Sequence, residues 1–339
     1  MLSRTADHLF WMARYMERAE NTARMLDVNY QTSLLPQSAD AAEQGWRGLL
    51  SISELSGVFA GHYARVDAKS VMDFMVRDQG NLSSITSCLR AARENARAVR
   101  GALTTEVWET QNQTWLEFNR MLAEREFERD PAAFFEWVKF RSHLSRGVTV
   151  GTMLMDEALH FLRIGTFLER ADNTARLLDV KFHALAGEYF GSNGSRQQRQ
   201  QRQQRRRQGS ASEGKESLEV DFYHWSAILR SVSGFEIYRK VYRNVIRPEL
   251  VAELLILRPD MPRSLAACMN EVVANLELVA NPQSNETRRR AGRLQSDLQY
   301  GRIDEILATG LHAYLTQFLD RVNDLGAGIS RDFLVPMAA

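Results

Sequence analysis

Two stretches of this chain carry one set of ionisable and amide side chains at one spacing. Residues 16–28 read MERAENTARMLDV and residues 168–180 read LERADNTARLLDV. Ten of the thirteen positions are identical at an offset of 152; the rest are Met16/Leu168, Glu20/Asp172 and Met25/Leu177. The first copy places Glu17, Arg18, Glu20, Asn21 and Arg24. The second places Glu169, Arg170, Asp172, Asn173 and Arg176. A carboxylate at such a position accepts an amine or transfers a proton. A guanidinium holds a carboxylate bidentately, and an asparagine fixes orientation.

At about 100° per residue, Leu9, Met12, Tyr15, Met16, Ala19, Ala23, Leu26 and Tyr30 form an apolar stripe. Glu17, Glu20, Asn21, Arg24 and Asp27 gather on another side. One reading is a solvated face laced with local pairs, each contributing ~0.2–0.5 kcal/mol. Such pairs are interchangeable. Arg14 faces Thr166 in the other copy, whereas Glu17 and Glu169 match, and a poor helix former recurs at Asn21 and Asn173. A buried or interfacial polar network is therefore favoured, serving either as an ion-pair lock or as a ligand site.

Other chemistry is thinner. Glu157 and His160 have the Glu-x-x-His spacing of carboxylate-bridged di-metal bundles, but their counterparts are Thr5 and His8, so no metal site is expected. Both histidines are expected to pack beside the apolar stripe. Cys88 and Cys268 lie among apolar neighbours and read as core. No Walker loop, G-x-G-x-x-G or G-x-S-x-G occurs, and no cofactor is implied. Arg263 and Ser264 follow Pro262 at a helix start, a candidate anion site; the alternative is a cap with Arg263 pairing Asp260. The run Arg288-Arg289-Arg290 reads as a polar helix face, or a surface for an acidic partner.

The elements that must position these groups are helical. Apolar residues recur at helical spacing, alternating strand runs are absent, and the seven prolines fall at helix edges or loops. Predicted helices include 3–31, 44–60, 105–128, 131–146, 153–190, 218–243, 262–281 and 303–326. A weaker echo relates 66–89 to 246–269 at an offset of 180. The pattern reads as a tandem duplication: an all-α bundle of two halves, 1–152 and 153–339, packed as one unit about a pseudo-twofold axis. The second half is interrupted by an insert at about 191–217. Within it, residues 196–208 hold six arginines and no acid; without them a chain of net charge +1 carries −5. The insert is too polar to offset its ordering entropy and is expected to be disordered. It lacks aromatic residues for base stacking, which argues against nucleic acid. No segment has the length of apolar sequence that spans a membrane, and charges interrupt any N-terminal leader core, so a cytoplasmic protein is expected.

The paired E-R-A-E/D-N-T-A-R helices resemble the alpha-E family, bacterial all-helical proteins also called domain of unknown function 403. Arg258-Pro-Asp-Met-Pro-Arg-Ser-Leu265 resembles its D-x-P-R-S-[LV] signature, and Arg97, Arg100, Trp108 and Asn112 fit its A-R-x-x-R and W-x-x-x-N pattern. The Arg/Gln tract departs from the family pattern. The resemblance implies association with circularly permuted ATP-grasp proteins and transglutaminase-like proteins, in a peptide ligation or modification system. On that view this chain is an accessory or co-catalytic subunit with a peptide or amino-acid site at the repeated cluster. Glu17 and Glu169 would accept an amine, Arg24 and Arg176 hold a carboxylate, and Asn21 and Asn173 orient the ligand. The alternatives are a stand-alone amide-chemistry enzyme and a non-catalytic scaffold.

Overall fold

The computed structural model describes residues 1–189, 225–243 and 245–334. Those residues are helical, without a strand. The order is α1 (Ser3–Ser33), α2 (Ala39–Ile52), α3 (Ser56–His62), α4 (Ala68–Val76), α5 (Ile85–Ala98), α6 (Thr105–Ala123), α7 (Glu126–Arg129), α8 (Pro131–Thr152) and α9 (Glu157–Tyr189). After a short helical stretch at 225–231 come α10 (Phe235–Tyr242), α11 (Pro248–Ile256), α12 (Leu265–Leu278), α13 (Asn285–Gln299), α14 (Ile303–Thr309) and α15 (Leu311–Phe333). The Arg/Gln insert lies outside the described residues.

The two motif helices, α1 and α9, pack against each other at the centre. Helices α5 and α8 lie on α1, while α12 and α15 lie on α9. Small residues permit the close central crossing: Ala19, Ala23, Ala171 and Ala175 are fully buried. Gly165 is the tightest point, where a Cβ would stand 2.3 Å from the Phe10 carbonyl oxygen. The flanking helices start alike. Ser84 and Ser264 each cap the helix that follows, accepting from the backbone N–H of Ser87 and Ala267. Val71, Phe74, Met75 and Val76 are buried on α4, as are Val251, Leu254, Leu255 and Ile256 on α11.

Several helices are shorter than periodicity predicts. The 44–60 segment breaks into α2 and α3 at Glu54, whose φ is 56°. The 105–128 segment breaks at Arg125, φ 58°, and 303–326 breaks at Gly310, φ 101°. Within 218–243 the break falls at Ser233, φ 52°. One left-handed residue ends a helix without interrupting its apolar spacing, so the pattern ran on through each break. Helix α8 extends beyond its predicted end, to Thr152, and α12 begins at Leu265, leaving Pro262 in the preceding turn.

The crossing gives a stability prediction whose sign is informative. Alanine is normally better than glycine inside a helix by about 1 kcal/mol. Gly165→Ala should nevertheless destabilise, by about 1–3 kcal/mol through overpacking, read as a lower denaturant midpoint. A raised midpoint would show that α1 and α9 part freely.

Candidate functional site

Positions 17, 20, 21 and 24 share one face of α1, and here that face is buried: Glu17 is 1% exposed, Glu20 0%, Asn21 3% and Arg24 7%. Isolated carboxylates cannot stay ionised in such surroundings. Each is satisfied from other elements. Glu17 Oε1 accepts from Arg170 Nε at 2.9 Å and Arg263 Nη1 at 3.0 Å. Its Oε2 accepts from Arg170 Nη2 at 2.9 Å and Arg146 Nη1 at 3.0 Å. Glu20 accepts from Arg24 Nε at 2.8 Å, Ser142 Oγ at 2.7 Å and Arg146 Nη1 at 2.5 Å, and also from Arg263. Asn21 Oδ1 accepts from Arg263 Nη1 at 2.8 Å, while its Nδ2 is buried with no hydrogen-bond partner among the described residues. Asn173, its counterpart, is half-buried.

The second motif answers the first. Glu169 Oε1 accepts from Arg18 Nε at 2.6 Å, and its Oε2 from Arg18 Nη2 at 3.0 Å and Arg14 Nε at 2.8 Å. Each motif's glutamate thus takes a bidentate contact from the arginine that follows the other motif's glutamate: Glu17 with Arg170, Glu169 with Arg18. Around this crossed pair the two sides differ. Ser83 stands at the position equivalent to Arg263, so the second glutamate has no loop guanidinium of that kind and uses Arg14. Asp172 pairs with Arg176 at 2.7 Å, and Arg176 also meets the exposed Glu54.

Burial alone would raise these carboxyl pKa values; the guanidinium groups reverse it. Arg170 and Arg263 hold Glu17 below its usual range, and Arg263, Arg146 and Arg24 hold Glu20 well below it. Arg14 and Arg18 bring Glu169 down to about 2. At Asp172 burial wins over Arg176 and the pKa is raised.

The remaining sequence candidates find other partners. Arg263 does hold anions, but they are the chain's own Glu17 and Glu20; Asp260 is paired by Arg258 instead, at 2.8 Å. Ser264 caps α12 and donates to the Arg258 carbonyl at 2.5 Å. His8 and His160 are not merely packed: their Nδ1 atoms lie 2.8 Å from Asn95 Oδ1 and Asn275 Oδ1. Burial pushes the Cys88 and Cys268 thiols up to about 12, so neither is a thiolate at neutral pH. Arg289 and Arg290 pair with Glu286, and Arg288 with Glu277, on the surface. No group of three or more His, Cys, Asp or Glu among the described residues is placed to hold a metal ion.

Sequence reasoning placed the helix that became α8 but missed its contribution to the site. Its Ser142, His143 and Arg146 lie at i, i+1 and i+4 and face Glu20, Arg24 and Glu17. The only signal was the i, i+4 spacing of Ser142 and Arg146, on a helix that also carries Glu136, Lys139 and Arg141. Beside it, α1, α8 and α9 border an open-sided cavity of about 110 Å³, lined by Glu17, Arg146, Arg163, hydroxyl side chains and apolar side chains. A second cavity of about 410 Å³ lies across α1, α9 and α15, lined by Trp11, Arg14, Asp172 and Gly326.

Two measurements probe this network. Glu17→Gln breaks a buried, multiply bonded ion pair and should cost about 3–5 kcal/mol. Glu43→Gln, which loses only the exposed partner Arg47, should cost about 0–1 kcal/mol. Equal effects in chemical denaturation would contradict the lock. Carboxylates with depressed pKa stabilise the fold above the ordinary value of 4.5 and lose that contribution as pH falls through the folded value. Stability should therefore fall between pH 4.5 and about 2, and Glu169→Gln should flatten that fall. Asp172, raised, contributes with the opposite sign.

No curated protein and no solved structure matches the chain. Residues 1–334 match the family model Alpha-E, described as a predicted alpha-helical domain with a conserved ER motif. Adjacent Glu-Arg pairs stand at the centre of this structure, in Glu17-Arg18 of α1 and Glu169-Arg170 of α9. The chain belongs to the Alpha-E family.

Proposed function

We propose that this protein is a helical accessory subunit of an ATP-grasp-linked peptide ligation or modification system. The repeated motifs lock its two halves into one platform. The carrying observation is the crossed pairing of Glu17 with Arg170 and Glu169 with Arg18. An amine acceptor needs a free carboxylate oxygen. Both oxygens of Glu17 and of Glu169 already carry guanidinium contacts, so an incoming amine would have to displace an arginine from a buried site. Arg24 is likewise committed, to Glu20, to Ser233 Oγ at 2.6 Å and beside His143. These contacts favour the lock over direct chemistry at the motif. The partner assignment rests on the family resemblance, and it suits a chain without a Walker or dinucleotide loop: nucleotide chemistry would come from the other subunit. The repeats themselves we ascribe to a tandem duplication, whose two products kept the interlocking groups.

Co-purification from the native host tests the reading. An ATP-grasp protein should be recovered with the wild-type chain and identified by mass spectrometry. Glu17→Gln/Glu169→Gln should weaken that recovery in step with lost stability, and the purified chain alone should turn over no peptide substrate. Turnover by the isolated chain, abolished by the double substitution at unchanged Tm, would overturn the lock and restore a catalytic role.

A further inference from the structure

The two ion networks do not carry the same charge. Around Glu169 and Asp172 the partners are Arg14, Arg18 and Arg176, with Glu54 as a third acid, so positive and negative groups are equal in number. Around Glu17 and Glu20 stand Arg24, Arg146, Arg170 and Arg263. Four guanidinium groups face two carboxylates, leaving a surplus of two positive charges in a largely buried place. Buried charge of one sign is unfavourable unless an opposite charge meets it.

Hydrogen bonding shows the same surplus by a separate route. His143 lies between two arginines, its Nδ1 2.7 Å from Arg146 Nη2 and its Nε2 3.1 Å from Arg24 Nη2. A neutral imidazole accepts at one nitrogen only. One of these contacts therefore sets a donor against a donor, and protonation would make both so. This edge of the network has more N–H groups than acceptors.

Arg146 is where the surplus reaches open space. Arg24, Arg170 and Arg263 have side chains 8% exposed, whereas that of Arg146 is 30% exposed. It lines the smaller cavity together with Glu17, which is already held by guanidinium groups, and Arg163, which pairs with Glu271; the apolar part of the wall includes Met12, Met16, Leu162 and Phe167. Ser145, also on the wall, accepts from Gln111 at 2.6 Å and keeps its own hydroxyl proton to donate. Arg146 is one of several partners at each carboxylate: Glu17 is also paired by Arg170 and Arg263, and Glu20 by Arg24 and Arg263.

We infer that this cavity is a binding site for a carboxylate bearing a short apolar group, its anion held by Arg146 and its apolar part seated on the methionine, leucine and phenylalanine side chains. The site goes beyond the lock and does not depend on which partner the protein has. A free short-chain acid and the C-terminal residue of a peptide share this chemistry.

The test is isothermal titration calorimetry on the purified full chain with 4-methylpentanoate and with acetyl-Ala-Leu, each beside its amide. At least one carboxylate should bind, its amide should not, and the tighter of the two identifies the source. Arg146→Gln should weaken binding by about 10- to 100-fold, the loss of a charged hydrogen-bond pair. Val150→Trp places bulk on the cavity rim, where Val150 is 62% exposed. It should abolish binding while leaving every ion pair intact, which keeps the test decisive if Arg146→Gln folds poorly by circular dichroism. Absence of binding by both acids, equal binding of the amides, or unaltered affinity in Val150→Trp would overturn the site.

Discussion

A buried carboxylate must find its countercharge inside the protein, and here it cannot find enough of it on its own helix. Glu17 depends on Arg170 from α9, Arg263 from the turn before α12 and Arg146 from α8. Glu169 depends on Arg14 and Arg18 from α1. Neither motif helix can therefore bury its charged face with every carboxylate paired unless the other is present in one register. Such networks are weak evidence for net stability, since an apolar replacement of equal shape can serve as well. On the reading proposed above, their effect is specificity: another pairing of α1 and α9 would leave an ion without a partner in a dry place.

The fold is arranged to keep that register. Alanines and Gly165 draw the two central helices close, and the capped helices α5 and α12 seal them on opposite flanks. Arg263 reaches α1 because Ser264 caps α12 immediately after it and fixes the turn. The asymmetry matters as much as the likeness. Where one side has Arg263 and Arg146, the other has Ser83 and Gly326 at the equivalent offset. The side with additional guanidinium groups is left with a charge surplus beside a small apolar cavity. The other is left with a larger void.

The helical class was legible in the sequence, and the recurrence of one motif singled out positions 17, 20, 21 and 24, which the structure buries. Helix ends were less so. Glu54, Arg125 and Ser233 end or divide helices by adopting left-handed backbone, which their side chains do not announce. The partners were hidden for a different reason. Arg146 and Ser142 lie outside the recurring motif, and the residues that satisfy Glu17 lie more than a hundred positions away. Spacing along one helix reveals which groups share a face. It does not reveal which neighbour that face meets, so Arg263 looked free to hold an external anion when two internal ones already claim it.

The contact of Gly165 with the Phe10 backbone has a mechanical meaning. Two helices in backbone contact, cross-bolted by ion pairs on both sides, cannot slide past one another or roll. Separating them would require Gly165 to leave Phe10 and the ion pairs on both sides to break together.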